Sequence, residues 1–309
     1  MNDLRLNDTS AGRIAAEFVR ARRQAGSPAM GMVMTMVVVV PEDGAQEAMD
    51  LANRASHEHP ARVLGLILGS GEAPSRVDAE VSTGAGRSGE TALIRLQGEV
   101  TRHAESVVLP LLLPDSPVVV WWPGEPPADP ASDPIGRLAR RRITDSAAAT
   151  RLLSTAIAQQ CRSYAPGNTD LAWTRITPWR ALLAAALDQH PFKVTAASVV
   201  GQQVHPSTEL MVAWLTDRLR VIVGRENFAG HGISEVRLTT DEGEVVVRRI
   251  DERVAELSVP GSPTRPVPLP RLTPAEVLSE ELRHLDEDDV YADTTRRLRR
   301  LRDAVEADS

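Results

Sequence analysis

The stretch MGMVMTMVVVVPEDGAQEAMDLANRASHEHPARVLGLIL (residues 30–68) determines the fold class of the first part of the chain. Two unbroken aliphatic runs, residues 30–40 and 62–68, enclose a segment with helical spacing that ends at Ala55. Asp43 and Gln46 have the spacing of a capping box at the start of this helix. Buried aliphatic strands joined by a helix are typical of a parallel βαβ unit that is covered on both faces. The stretch therefore predicts an α/β fold with a mostly parallel sheet.

The residues on either side extend this first unit. Ile14, Phe18 and Val19 lie on one side of a predicted first helix, and two strands joined by a Gly-rich turn are predicted over residues 77–81 and 92–96. The remaining predicted elements are a helix over 103–113 that breaks near Pro110, a strand over 118–121, an irregular Pro- and Asp-rich stretch over 123–134, and a mostly helical segment over 137–164 that restarts at Thr144 and Asp145.

A second α/β unit is predicted to begin at residue 166, so that the expected domains are residues 1–165 and 166–309. Its predicted elements are a helix over 179–187 preceded by Thr177 and Pro178, a strand over 194–200, a helix over 207–219, three antiparallel strands over 233–239, 244–250 and 254–259, a helix with a capping box at 273–276, and a last helix that begins at Asp286. The second sheet is therefore expected to be mixed or antiparallel and flanked by helices.

The composition excludes several classes of protein. The 309 residues are 42% hydrophobic and 25% charged, as in a globular protein, and the net charge of −7 argues against a general nucleic-acid binder. The amino-terminal sequence MNDLRLNDTS is too polar for a signal peptide, and the apolar run at residues 30–40 is too short to cross a bilayer. We expect a cytoplasmic protein that binds neither nucleic acid nor a membrane.

No reactive centre is recognisable in the sequence. The only lysine, Lys193, is not part of a phosphate-loop motif, and the only cysteine, Cys161, is expected to be a small buried residue of a helix. Residues 84–89 match G-x-G-x-x-G, but a strand-like segment follows them, which favours a hairpin loop over a dinucleotide cradle. His57 and His59 stand two positions apart, which places them on different sides of a helix. The sequence thus predicts no catalytic residue, no metal site and no cofactor.

Tryptophan is concentrated in two short segments, one of which also carries arginine. Only 3% of the residues are aromatic, yet the five tryptophans include a pair in VVVWWPGEP (residues 118–126) and another pair between Tyr164 and Arg180. Both residue types commonly anchor protein interfaces. The candidate partner-binding residues are Trp121, Trp122, Glu125, Asp129, Arg141, Arg142, Asp145, Tyr164, Asp170, Trp173, Arg175, Trp179 and Arg180. The alternative is that these tryptophans only pack the fold.

The basic run at residues 140–142 permits two interpretations. Three successive arginines suit a phosphate group or an acidic partner surface. An ion-pair cluster with Asp129, Asp133 and Asp145 explains the run equally well.

Two long segments resemble a known family. LPLLLPDSPVVVWWPGEPPADPASDPIGRLARRRITDS (residues 109–146) and SYAPGNTDLAWTRITPWRALLAAALDQ (residues 163–189) are similar to signatures of the OpcA family, and residues 52–63 and 267–296 resemble it more weakly. The resemblance implies a non-catalytic assembly factor or allosteric activator that binds glucose-6-phosphate dehydrogenase and promotes its active oligomer. It assigns no catalytic residues. Redox control through cysteine pairs has no basis in a chain whose only cysteine is Cys161.

Two other functions stay open at this point. One is a sensor or enzyme that binds a sugar phosphate or NADP through residues 140–142 or the loop at 84–89. The other is a general scaffold in which the tryptophan segments serve only domain packing.

Overall fold

The computed structural model describes residues 2–25, 31–83, 89–150 and 152–307, and the chain divides into two compact units. The first unit consists of Met1–Asp145, Gly167–Thr169 and Pro274–Glu287. The second unit consists of Ser146–Pro166, Asp170–Thr273 and Asp288–Ser309. The sequence-based division at residues 165 and 166 stays a prediction, and the compact units depart from it because each is assembled from separate segments of the chain.

The strands and helices alternate along most of the chain. The strands are β1 (Asn2–Leu6), β2 (Met34–Val39), β3 (Ala61–Leu68), β4 (Arg76–Thr83), β5 (Thr91–Gln97), β6 (Val118–Trp122), β7 (Arg141–Thr144), β8 (Asn168–Asp170), β9 (Val194–Gly201), β10 (Ile222–Asn227), β11 (Ile233–Thr240), β12 (Gly243–Arg249), β13 (Val254–Ser258) and β14 (Arg265–Pro268). The helices are α1 (Ala11–Ala25), α2 (Ala45–Ala55), α3 (Ala104–Val108), α4 (Leu153–Arg162), α5 (Leu171–Arg175), α6 (Thr177–Gln189), α7 (Pro206–Leu219), α8 (Pro274–Leu282) and α9 (Asp289–Ala307).

The first sheet has eight strands in the order β1-β4-β5-β3-β2-β6-β7-β8. Strands β5, β3, β2, β6 and β7 run parallel to one another, whereas β4 is antiparallel to β1 and β5. The predicted α/β class, the mostly parallel sheet and the β2–α2–β3 unit are therefore confirmed. Helix α2 lies so close to β3 that a Cβ atom at Gly65 would stand 2.5 Å from Met49 Sδ. Glycine at position 65 lets the helix pack directly on the strand.

Local features of the first unit correct several predictions. In α1, Ile14 and Phe18 are buried as expected, but Val19 is exposed. A three-ten turn over Glu42–Gly44 precedes α2, so no capping box forms, and Gln46 Nε2 donates to Asp50 Oδ1 instead. The predicted helix over 103–113 is a short α3 between two three-ten turns, Gly98–His103 and Leu109–Leu111, and thus breaks near Pro110 as expected.

The largest error concerns residues 137–164, which were predicted to be mostly helical. Residues 141–144 form β7 instead, and α4 begins only at Leu153. Thr144 is therefore the last residue of a strand and not a helix cap. All four residues of β7 are buried and pair in parallel with β6. A buried strand with two arginines escapes pattern analysis because their acceptors lie far away in the sequence or in loops.

The second sheet has six strands in the order β10-β9-β11-β12-β13-β14. Strands β9 and β10 are parallel, and the other neighbours are antiparallel, which confirms the predicted mixed sheet and its meander. Thr177 is the first residue of α6 and not its cap, since its hydroxyl donates to the Trp173 carbonyl at 3.4 Å. The last helix begins at Asp289, three residues later than predicted. None of the helices in the described ranges combines the length and hydropathy that a bilayer-spanning segment requires.

Candidate partner-binding surface

The tryptophan pair of the first unit stands at the end of β6. Trp121 and Trp122 are 3% and 4% exposed, and Trp122 belongs to the main apolar cluster of its unit. The Trp121 Nε1 atom is buried and has no hydrogen-bond acceptor among the residues that the structure describes. Both indoles therefore lie beneath the surface, directly before the loop that follows β6.

That loop, residues 123–134, presents the acidic candidates. Glu125 and Asp129 are exposed, whereas Pro126 and Pro130 are buried. Asp129 accepts hydrogen bonds from the Ser132 hydroxyl at 2.7 Å and from the Ala131 and Ser132 N–H groups at 3.1 and 3.2 Å. These bonds, the Ser132 hydroxyl first, lower the pKa of Asp129. The loop is thus held in shape by buried prolines and by its own turn.

The basic run at residues 140–142 is tied to carboxylate and carbonyl acceptors of the first unit. Arg141 is buried and donates to Glu281 Oε1 through Nε at 3.0 Å and Nη2 at 2.5 Å. Arg140 is exposed and pairs with Asp286. Arg142 donates through Nε to Asn168 Oδ1 at 2.5 Å and through Nη1 to the Ala139 carbonyl at 2.9 Å. Nothing in this geometry favours a phosphate over these protein acceptors, and most of the glycine-rich loop, residues 84–88, lies outside the described residues.

The two remaining acidic candidates, Asp145 and Asp170, are buried. Asp170 caps α5, because its Oδ1 accepts from the Ala172 N–H at 2.9 Å. Its Oδ2 accepts from the hydroxyl and the N–H of Ser146 at 2.6 and 2.9 Å. Asp170 therefore orders the chain on both sides of itself inside the second unit.

The aromatic candidates of the second unit form a packed cluster. The Trp173 ring lies between the Arg180 guanidinium, 3.5 Å from its centroid, and the Tyr291 ring at 5.5 Å. Tyr164, which is half-buried, contacts the Tyr291 ring edge-on at 5.8 Å. Stacked arginine and aromatic groups of this kind stabilise a fold as well as an interface. Arg175 and Arg180 are half-buried, and Trp179 is buried.

Cys161 is buried as predicted, and burial raises the pKa of its thiol. In the described part of the chain, His, Cys, Asp and Glu side chains form no group of three or more that is able to hold a metal ion.

One exposed apolar surface of the second unit was not predicted from the sequence. Ile222, at the start of the sheet's edge strand β10, has 86% of its surface exposed, and Val305 of α9 has 67%. Both side chains line a groove of about 880 Å³. The apolar triplet Val221-Ile222-Val223 was the signal in the sequence, but an apolar triplet alone does not reveal which residue faces solvent.

Two family models match this chain. Residues 166–295 match the C-terminal domain of the glucose-6-phosphate dehydrogenase subunit, in the family named OpcA, and residues 52–161 match the N-terminal domain of the same subunit. No curated protein matches the chain at a significant level.

Two solved structures show lower similarity. UDP-N-acetylglucosamine 3-dehydrogenase GnnA from Acidithiobacillus ferrooxidans is 10% identical, with a TM-score of 0.38 over 89% of this chain and 98% of that chain. A structure described as trehalose-6-phosphate from E. coli bound with UDP-2-fluoro glucose is 12% identical, with a TM-score of 0.23 over 63% of this chain and 65% of that chain.

Proposed function

The chain belongs to the OpcA family of glucose-6-phosphate dehydrogenase assembly proteins, and from this premise we propose that it is a non-catalytic factor that binds the dehydrogenase and promotes its active oligomer. The family matches over residues 52–161 and 166–295 are the observation that carries the proposal. The site of action is the cytoplasm, where the dehydrogenase begins the oxidative pentose phosphate pathway and supplies NADPH.

An assembly factor works through a difference in affinity. It shifts the dehydrogenase toward its active oligomer only to the extent that it binds that oligomer more tightly than the inactive form. A rigid contact surface strengthens binding to the preferred oligomer, because little conformational entropy is lost on binding. The loop at residues 123–134 has this property, since its buried prolines and the Asp129 turn fix its shape in the free protein.

We therefore assign the contact in the first unit to the exposed side of this loop, with Glu125 as its acidic contact. Trp121 and Trp122 support the loop from below and do not touch the partner. In the second unit, the proposed contact residues are the half-buried Tyr164, Arg175 and Arg180, while the buried Trp173 and Trp179 hold the segment in place.

The test is size-exclusion chromatography of the dehydrogenase with and without the full chain, with activity measured across the peaks. We expect the two proteins to elute together, the dehydrogenase to elute earlier and its rate to rise. An unrelated protein of similar mass serves as the control. An unchanged elution volume and an unchanged rate would contradict the proposal.

A dilution series separates assembly from allosteric activation. Assembly follows mass action, so a factor that promotes assembly loses its effect where the dehydrogenase is already fully assembled by its own concentration. We expect activation to be greatest at low dehydrogenase concentration and to vanish at high concentration. Activation that is equal at every concentration would mean that the protein changes the rate of an oligomer that is already formed.

A further inference from the structure

One cavity of the second unit is lined by basic side chains from several elements. Arg175, His205, His231, Arg249 and Arg271 all line it. The cavity has a volume of about 240 Å³, and none of the described residues that line it is acidic. Arg175 is the one residue of this lining that also belongs to the proposed contact with the dehydrogenase.

Arg249 is the most constrained of these cations. Its Nη1 donates to the Leu269 carbonyl at 2.6 Å and to the Asp251 carbonyl at 3.2 Å, and its guanidinium lies 5.4 Å from the centre of the Trp179 ring. Its Nε is buried without an acceptor among the described residues. Burial, followed by the nearby charge of Arg271, lowers the pKa of Arg249. Because Arg249 Nε has no acceptor among the described residues and the Arg271 cation lies nearby, an anion bound here would be stabilised.

Arg271 reaches the same cavity from the segment that precedes α8. Its Nη2 donates to the His231 carbonyl at 3.1 Å, and its Nε pairs with Glu252 at 2.6 Å. Glu252 is 73% exposed and does not line the cavity. A solvent-exposed carboxylate compensates little of the positive charge inside a cavity, because water screens it.

The amino terminus of α7 also lies at this cavity. His205 is the residue that caps α7, and its Nδ1 accepts a hydrogen bond from the Ser207 N–H at 3.2 Å. This bond holds the imidazole of His205 at the amino terminus of α7. The positive end of the dipole of α7, a helix of 14 residues, adds to the basic character of the site.

We infer that this cavity binds a small phosphate monoester, with Arg249 and Arg271 on the phosphate and the Trp179 side of the cavity against the organic part. A phosphate dianion offers three oxygens to several guanidinium groups at once, which a single carboxylate does not. Cavities for drug-sized ligands hold about 300–1,000 Å³, so this smaller one has room for a phosphate on a compact group such as a monosaccharide and not for a dinucleotide. Binding at this site requires no dehydrogenase.

Isothermal titration calorimetry of the full chain, without the dehydrogenase, tests the inference. The probes are a hexose 6-phosphate, inorganic phosphate and the unphosphorylated hexose. We expect the hexose phosphate to bind, inorganic phosphate to bind more weakly, and the hexose to give no heat. Equal affinity for inorganic phosphate and the hexose phosphate would overturn the assignment to a monoester.

Two variants with the same change of charge locate the site. Arg271→Gln removes a cation from the cavity, and Arg300→Gln removes an exposed cation from α9 that does not line it. We expect Arg271→Gln to weaken binding of the hexose phosphate about tenfold or more and Arg300→Gln to leave it unchanged. A ligand-induced rise in melting temperature of the wild type gives a second measurement that needs no variant. No binding of any phosphate probe at millimolar concentration, or equal affinity of the two variants, would overturn the inference.

Discussion

The indole N–H of Trp173 donates a hydrogen bond to Asp288 Oδ2 across 2.7 Å. The other carboxylate oxygen of Asp288 accepts from the Tyr291 N–H at 2.9 Å, in the first turn of α9. Trp173 is 2% exposed. A residue chosen from the sequence as a partner anchor thus holds two helices, α5 and α9, inside the second unit.

Replacing Trp173 by Phe tests this role. Trp173→Phe keeps an aromatic ring beside Arg180 and Tyr291 but removes the donor to Asp288, so we expect the free energy of unfolding to fall by about 1 kcal/mol. Trp173→Ala also leaves a cavity and is expected to cost about 3–5 kcal/mol. Urea denaturation followed by circular dichroism measures both values. A Phe variant that is as stable as the wild type but no longer binds the dehydrogenase would show that the indole serves the interface instead.

Because Arg141 and Glu281 form a buried pair, removing one of the two charges is expected to lower the free energy of unfolding much more than removing both. Arg141→Met leaves the buried Glu281 carboxylate without its guanidinium and is expected to lower the free energy of unfolding by about 3–5 kcal/mol. Arg141→Met combined with Glu281→Leu removes both charges and is expected to recover much of that loss. Chemical denaturation measures both variants.

The neighbouring Arg140 provides the matched control. Its side chain is 60% exposed and its partner Asp286 is 86% exposed. Arg140→Met is therefore expected to change the free energy of unfolding by less than about 1 kcal/mol. If Arg140→Met and Arg141→Met lowered the free energy of unfolding equally, burial of the Arg141–Glu281 pair would not be what stabilises the first unit.

The proposed contact at the loop predicts a specific effect of charge reversal. Glu125→Arg is expected to weaken binding of the dehydrogenase about tenfold or more and to leave the melting temperature unchanged, because the side chain is exposed. Glu47→Arg, on the exposed side of α2, makes the same change of charge and is expected to have no effect. Surface plasmon resonance with immobilised dehydrogenase provides the affinities.

The exposed groove of the second unit gives that experiment a second control. Ile222→Asp places a charge on the edge strand β10, at the most exposed large hydrophobic side chain of the described residues. We expect this variant to bind the dehydrogenase normally. If Ile222→Asp lost binding while Glu125→Arg bound normally, the contact with the dehydrogenase would be the groove and not the loop.

Glu235 predicts how the second unit responds to acid. Burial raises the pKa of Glu235, but hydrogen bonds from Arg248 at 2.5 Å and Arg237 at 2.6 Å outweigh it, and the pKa lies below its usual value. A carboxylate whose pKa is lowered by folding stabilises the fold above its unfolded pKa of about 4.3, and this contribution is lost as the pH falls through the folded value. Glu235→Gln should therefore cost about 1–2 kcal/mol at pH 7.

The difference between the wild type and Glu235→Gln is expected to disappear at low pH. Below the folded pKa of Glu235 both proteins carry a neutral side chain, so their difference in unfolding free energy, which is largest at pH 7, should shrink as the pH falls below about 4.3 and through the lower folded pKa. Glu242→Gln, in an exposed turn, is the control and should not differ from the wild type at either pH. A Glu235→Gln penalty that grows on acidification would contradict the argument.

The sequence predicts the elements whose hydrophobic period is undisturbed. β2, β3 and β6 are almost wholly buried apolar runs, and burial largely alternates along the β11–β12–β13 meander, so their positions follow from pattern alone. The missed strands β1, β7, β8, β10 and β14 are short, polar or exposed at a sheet edge. Such strands form because neighbouring strands that are distant in sequence pair with them, and a local hydrophobic pattern carries no information about those neighbours.

The candidate residues show the same limit. The tryptophans and arginines chosen as partner-binding candidates include groups that stabilise the fold, such as Trp173 and Arg141, but the type of a residue does not say whether it faces a core or a partner. Arg141 is buried because Glu281 meets it from a helix 140 positions later in the chain, and no spacing rule contains that partner. The basic cavity was missed for a similar reason. His205, Arg249 and Arg271 lie far apart in the sequence, and of the cavity lining only Arg175, Ile176 and Trp179 lay in a tryptophan segment.

Helix α8 belongs to the first unit although it lies late in the sequence, and this has a consequence for folding during synthesis. A nascent chain leaves the ribosome amino end first, and domains usually fold as they emerge. The first unit of this protein includes Pro274–Glu287, so Arg141 of β7 lacks its partner Glu281 until α8 has been translated. A ribosome that stops before residue 274 therefore releases a first unit without its last helix.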